Sequence, residues 1–206
     1  NRRGKSSPNT QEVYDLMGTR YNEYWGTQNG EQRNSRVKRL DEPIVMLNHE
    51  IQLSPTSTLQ SSIAYQFGEL GNSRFDYPGG SNPSPTYYQK LPSYFLADSD
   101  GPDYAGAYLA QEQLLTNGQI DWNRIYDANV NAAASDLPAA YVLYEDRSDD
   151  SQLTLNTSLK SFLSDEVSIV FALTHQDVQS ENFAEIQDLM GASNYLNRDS
   201  FDGYAY

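Results

Sequence analysis

The chain has 206 residues, of which 38% are hydrophobic, with a formal net charge of −14 and no cysteine. The lack of cysteine excludes a disulfide scaffold, a thiolate metal site and a cysteine nucleophile. The acidity argues against nucleic acid as a partner, because phosphates would be repelled.

The sequence opens on Asn1 with no charged stretch leading into an apolar one, and it runs to Tyr206 without an evident stop. The expectation is a piece of a longer protein whose targeting signals lie elsewhere. The charge is unevenly placed: residues 1–40 hold eight Lys/Arg against four Asp/Glu, and the rest hold six against 24. There are 16 Tyr against 7 Phe and 2 Trp. Tyrosine suits surfaces that are part apolar and part wet, such as binding loops and membrane-interface girdles.

In chain order, residues 1–43 read as a polar loop, with Tyr14, Tyr21, Tyr24 and Trp25 set among Asn, Gly and Arg. The basic cluster Arg33 to Arg39 would either meet an anionic ligand or lipopolysaccharide, or pair with an acidic cap formed by the long loops. The latter is the preferred reading.

Residues 44–68 predict a hairpin. Val45, Leu47, His49, Ile51 and Leu53 alternate with a face that ends in Asn48, Glu50 and Gln52. Ser54-Pro55-Thr56-Ser57 supplies a tight turn. Leu59, Ile63, Tyr65 and Phe67 then alternate with Gln60, Ser62, Ala64, Gln66 and Gly68. A strand of about ten residues matches a tilted membrane-crossing strand, and Tyr65 and Phe67 lie where an aromatic girdle would. Leu59, Ile63, Tyr65 and Phe67 are the expected lipid-facing set.

Residues 69–150 predict a long loop of roughly 80 residues, unusual in a compact soluble domain but ordinary on an outer-membrane barrel. Its Pro/Gly-rich start, Tyr77 to Pro85, has no regular period. Helices are expected over Tyr104–Gly118 and over Ile120–Val130, the second capped by Asp121. Asp98, Asp100 and Asp103 cluster in a turn. Oxygen-rich clusters suit calcium, but the spacing does not fit an EF-hand loop, and a solvated turn is the preferred reading. Glu145 to Asp150 reads as the polar rim above a strand.

Residues 151–178 repeat the hairpin design. Leu153, Leu155 and Leu159 are followed, after a turn at Leu163 to Glu166, by Val167, Ile169, Phe171 and Leu173. Residues 179–206 read as a loop with a short helix over Ser180–Met190, on the stripe Phe183, Ile186, Leu189 and Met190. With only His49 and His175, and no nucleophile elbow, P-loop or dinucleotide fingerprint, the chain is not read as an enzyme, and no cofactor or catalytic residue is expected.

Several stretches carry a resemblance. Tyr24-Trp25-Gly26-Thr27-Gln28-Asn29-Gly30-Glu31-Gln32-Arg33-Asn34-Ser35-Arg36, Gly71-Asn72-Ser73-Arg74 and Asn82-Pro83-Ser84-Pro85-Thr86-Tyr87-Tyr88-Gln89-Lys90-Leu91-Pro92-Ser93-Tyr94 resemble TonB-dependent receptors of the Bacteroidetes. Tyr65-Gln66-Phe67-Gly68, Gly118-Gln119-Ile120-Asp121-Trp122 and Tyr144-Glu145-Asp146-Arg147 do so too. The likeness is to the barrel region of receptors that also carry a carboxypeptidase-regulatory-like domain and a plug. It implies a barrel of about 22 strands and energised import through the TonB–ExbB–ExbD system. The ligand would be a siderophore, glycan, peptide or cobalamin. The plug and the TonB box are not in this sequence.

The resulting expectation is an all-β fold: an antiparallel transmembrane β-barrel fragment of about four strands in two hairpins. It would lie in outer-membrane lipid with long extracellular loops carrying short helices. The expected ligand contacts are exposed loop aromatics, Tyr77, Tyr87, Tyr88 and Trp122, whose faces stack on sugars and peptides. The rivals are a secreted β-rich carbohydrate- or ligand-binding module and an extracellular hydrolase fragment.

Overall fold

The computed structural model describes residues 2–3, 10–97 and 99–197. They form a predominantly β protein with antiparallel pairing and a few helices. The chain divides into two compact units. The first comprises residues 1–38, 72–146 and 184–206, and the second residues 39–71 and 147–183.

The second unit is built from stretches of β4 (Val37–Asp41), β5 (Ile44–Ser54), β6 (Ser57–Asp76), β7 (Val142–Phe162) and β8 (Ser168–Asp188). β5 pairs antiparallel with β6, and the order continues through β7 to β8. Both expected turns are present. Thr56 N–H donates to Ser54 Oγ at 3.2 Å, and Leu163 N–H closes on Val167 O at 2.9 Å.

Glu42-Pro43 separates β4 from β5, since proline cannot donate to a ladder. Phe67 N–H donates to Pro43 O at 3.2 Å. Beside it, a Cβ on Gly68 would stand 1.9 Å from Asp41 O, so only glycine fits that approach.

Register sorts the residues of this sheet onto two faces. Val45 opposes Tyr65, Leu47 opposes Ile63 and Ile51 opposes Leu59. Ser61 meets Thr157 at 3.2 Å and Ser57 meets Ser161 at 2.9 Å, which puts Leu153, Leu155 and Leu159 on the same face. Thr174 donates to Asn156 at 2.6 Å on the other face, leaving Ile169, Phe171 and Leu173 on the apolar one. Glu50, Gln60, Ser62 and Asn156 therefore share a polar face, and the opposite face is mostly apolar, crossed by His49, Ser61 and Thr157.

No hydrophobic residue of this unit is buried. Leu47 is 67% exposed and Phe171 65%. The sheet is one layer thick.

The first unit holds the buried residues. Helix α1 (Gln11–Met17) starts at Thr10, whose hydroxyl accepts from Val13 N. Strands β2 (Trp25–Gln28) and β3 (Glu31–Asn34) form a hairpin across Asn29 and Gly30. Their φ values of 51° and 83° are those of a tight primed turn. Helix α2 (Pro92–Leu96) follows a single 3₁₀ turn. Helices α3 (Tyr104–Asn117) and α4 (Trp122–Ala134) begin at Asp103 and Asp121, whose carboxylates accept from Gly106 N and Arg124 N.

Two clusters form the core. One packs Ile120, Trp122, Ile125, Tyr141, Leu143 and Met190, and the other Val13, Tyr21, Leu91 and Leu114. Asn129 is fully buried beside the first cluster, against Tyr141 and the 189–190 segment. Its Nδ2 donates to Tyr141 O and Leu189 O, each at 2.8 Å, and its Oδ1 accepts from Tyr141 N at 2.9 Å.

Four expectations need correction. Residues 1–43 are not a plain loop but carry α1, β2, β3 and β4. The loop expected over 69–150 is shorter, because β6 runs on to Asp76 and β7 already begins at Val142. Glu145 to Asp150 is thus strand, its acids answered by Arg74, which meets Asp146 at 2.6 Å, and by Arg147, which meets Asp149 at 2.8 Å.

The helix expected over Ser180–Met190 is strand as far as Asp188. β8 continues the ladder begun at the 163–167 turn, and a strand already paired with β7 outweighs a four-residue apolar stripe. The last residues of the segment 179–206, from 198 onward, lie outside the described residues. Among the described residues no helix is long and apolar enough to cross a membrane, which says nothing of a β-barrel.

Candidate ligand-binding site

The first unit contains a cleft of about 950 Å³ between α3, the start of α4 and the 81–90 segment. α3 contributes Leu109, Leu114 and Gln113, while the facing wall offers Asn82, Gln89 and Lys90. Gln119, Asp121 and Arg124 close one end. The lining thus mixes apolar side chains with amides and two cations.

The 82–86 turn builds the polar wall. Asn82 Oδ1 accepts from Ser84 N at 2.9 Å, and Ser84 Oγ accepts from Thr86 N at 3.2 Å. The Ser84 hydroxyl donates at 2.9 Å to Glu23, a carboxylate buried beneath it. This ties the turn to the body of the unit.

Lys90 reaches back over the same turn. Its ammonium donates to Asn82 O at 2.6 Å and Ser84 O at 2.9 Å. An ammonium has three donors, so one is left. Burial, and then the charge of Arg124, hold the Lys90 pKa below its ordinary value. Asp121 is the only acid in the lining, and it is engaged as the cap of α4. Gln119 Oε1 is buried without a hydrogen-bond partner among the described residues.

A ladder of rings runs along the α2 side. Tyr87 and Tyr88 have centroids 4.8 Å apart, Tyr88 and Tyr94 5.7 Å, and Tyr94 and Phe95 5.5 Å. Phe95 lines the cleft, and Tyr88 is 56% exposed. Of the expected aromatic contacts, Tyr87 and Tyr88 pack against each other, and neither is in the lining of the cleft. Tyr77 is at the same wall, its hydroxyl accepting from Asn82 Nδ2 at 3.1 Å.

Trp122 is not a loop surface residue. It is 0% exposed, with Arg33 stacked over it at 4.1 Å, Phe75 at 5.2 Å, and its Nε1–H donating to Arg33 O at 3.2 Å. Its ring faces are occupied by the core, as hydrophobic area makes indole a preferred core filler when its N–H finds an acceptor.

The carboxylate turn does not assemble. Asp98 lies outside the described residues, and Asp103 is used as the cap of α3. Among the described residues no group of three or more His, Cys, Asp or Glu is placed to hold a metal. The basic cluster pairs with acids: Arg33 meets Asp188 at 2.5 Å and Arg39 approaches Glu69 at 3.9 Å.

Lys90 and Arg124 lie far apart in the chain and share the lining of the cleft. The one available signal was local: Arg124 stands in the first turn of a helix, where a cation is disfavoured by the helix dipole. Comparison with models of known protein families, with curated proteins and with solved structures finds no match for this chain.

Proposed function

We propose that the chain is part of the wall and extracellular loops of an outer-membrane β-barrel, of the TonB-dependent receptor type, that imports a nutrient. The observation that carries this reading is the sheet of the second unit. It is a single layer whose strands segregate Leu47, Ile63, Leu155 and Phe171 from Glu50, Gln60 and Asn156. In water, an apolar sheet face is normally covered by a second layer. In a bilayer the hydrocarbon covers it, and a polar opposite face suits a barrel lumen.

Further support comes from the connections. The strands of this unit are joined by tight turns on one side, and the longer segments elsewhere carry the cleft and its tyrosines. Short turns and long loops on opposite sides are the barrel pattern. In this reading lipid is the partner of the apolar face, the loops recognise a siderophore, glycan, peptide or similar ligand, and coupling to TonB–ExbB–ExbD falls to parts of the receptor not in this chain.

The test is the behaviour of the whole 206-residue chain. Purified without detergent it is expected to aggregate, and with phospholipid vesicles it is expected to float. An open sheet leaves two unpaired edges, so detergent should be needed to keep it dispersed. A monodisperse, cooperatively melting monomer in plain buffer, absent from the vesicle fraction, would overturn the reading in favour of a secreted binding module.

A further inference from the structure

We infer that the cleft of the first unit binds an organic anion, held through a carboxylate by Lys90 and Arg124, with the body of the ligand against α3 and Phe95. The inference concerns one unit by itself and does not depend on whether the other meets lipid.

The charge placement is the first observation. The chain carries −14 overall, yet this lining has two cations and one carboxylate, and that carboxylate is occupied by a backbone N–H of α4. Neither Lys90 nor Arg124 has an ion-pair partner among the described residues. Lys90 is half-buried, and that burial first, with the charge of Arg124 after it, disfavours its ammonium form. An anion between them removes that cost.

The second observation is the fit of donors. Lys90 is anchored by the carbonyls of Asn82 and Ser84 and so is fixed in position with one N–H left over. Arg124 keeps its side-chain fork, a shape matched to the two oxygens of a carboxylate. The third is the rest of the wall. Leu109 and Phe95 offer apolar area, and Gln89, Gln113 and Gln119 offer amides. A bare inorganic ion would use none of this. An organic anion with hydroxyl or amide groups would use all of it.

A carboxylate of this kind can come from a uronic-acid oligosaccharide or from a short acidic peptide. The experiment titrates the full chain, in detergent, with trigalacturonate, an acetylated glutamate-containing tripeptide, neutral maltotriose and inorganic phosphate, by calorimetry. One of the two carboxylate probes should bind, weaken as salt is raised, and lose at least about tenfold in affinity in Arg124→Gln. Which probe binds identifies the source.

Lys90→Gln should weaken binding similarly, but that residue also ties the 82–86 turn. Arg124→Gln, at an exposed position with no structural partner among the described residues, is the decisive variant. Equal binding of maltotriose or phosphate, no binding by either carboxylate probe, or binding indifferent to Arg124→Gln would each overturn the inference. Loss of vesicle flotation with carboxylate binding retained would defeat only the membrane reading.

Discussion

At the scale of single residues, the first unit depends on a few buried polar groups that each satisfy several partners. Asn129 answers the N–H and C=O of Tyr141 and the C=O of Leu189. Asn129→Ala should cost about 2–3 kcal/mol, because it leaves these groups buried without partners. Chemical denaturation followed by circular dichroism would measure it.

Asp188 sits in a second such place. Burial raises its pKa, but the Arg33 guanidinium, the Met190 N–H and the Tyr126 hydroxyl outweigh that and hold it below the ordinary carboxylate value. A carboxyl that binds its proton more weakly when folded stabilises the fold above its unfolded pKa, and that contribution is lost as pH falls through the folded value. Stability should therefore drop on acidification below the usual carboxylate range. In Asp188→Asn that part of the acid dependence should be missing, with lower stability at neutral pH. Neither role was legible in the sequence, because Arg33 and Asp188 meet only when β3 and the end of β8 come together.

At the scale of elements, what could be read was what is local. The 44–68 hairpin followed from alternation around a proline turn, α3 from a run of helix-favouring residues, and α4 from Asp121, an acid placed to take a helix's first free N–H groups; the cap that Asp103 gives α3 was not read. The β2–β3 hairpin also had its signal, Asn29-Gly30, but among so many polar residues it was read as loop. The second half of β8 could not be read, since Phe183, Ile186, Leu189 and Met190 do fit a helical stripe and only the neighbouring strand decides otherwise.

The same hairpin holds a strict packing point. A Cβ on Gly26 would stand 1.8 Å from Ile120 O, where Ile120 N–H donates to Trp25 O at 3.0 Å. Backbone cannot yield there as a side-chain tip could. Gly26→Ala should destabilise by about 1–3 kcal/mol, seen as a lower denaturation midpoint and faster exchange of the Ile120 amide.

At the scale of the whole molecule, the two units solve the problem of apolar surface in opposite ways. The first buries Trp122, Leu91, Met190 and Val13 completely, while the second leaves Val45, Leu47, Ile169 and Phe171 more than half exposed. The alternation that revealed these strands could not tell a face awaiting a second layer from one awaiting lipid, since both look alike along the chain. A charge at the centre of a lipid-facing strand costs roughly 2–4 kcal/mol at the bilayer midplane. Ile63→Lys combined with Phe171→Lys should abolish vesicle flotation and raise solubility in buffer, while binding in the cleft persists. Flotation unchanged by both substitutions would count against contact between this face and lipid.

The location of the tryptophans has a practical consequence. Trp25 and Trp122 both belong to the first unit, and the second has none. Indole fluorescence is therefore blind to the bare sheet and reports only on the compact unit, while infrared amide bands report on both. If the two signals change together on heating, the protein melts as one cooperative body. If the indole signal changes alone, the long strands outlast the core attached to them, and the sheet has a thermal stability of its own.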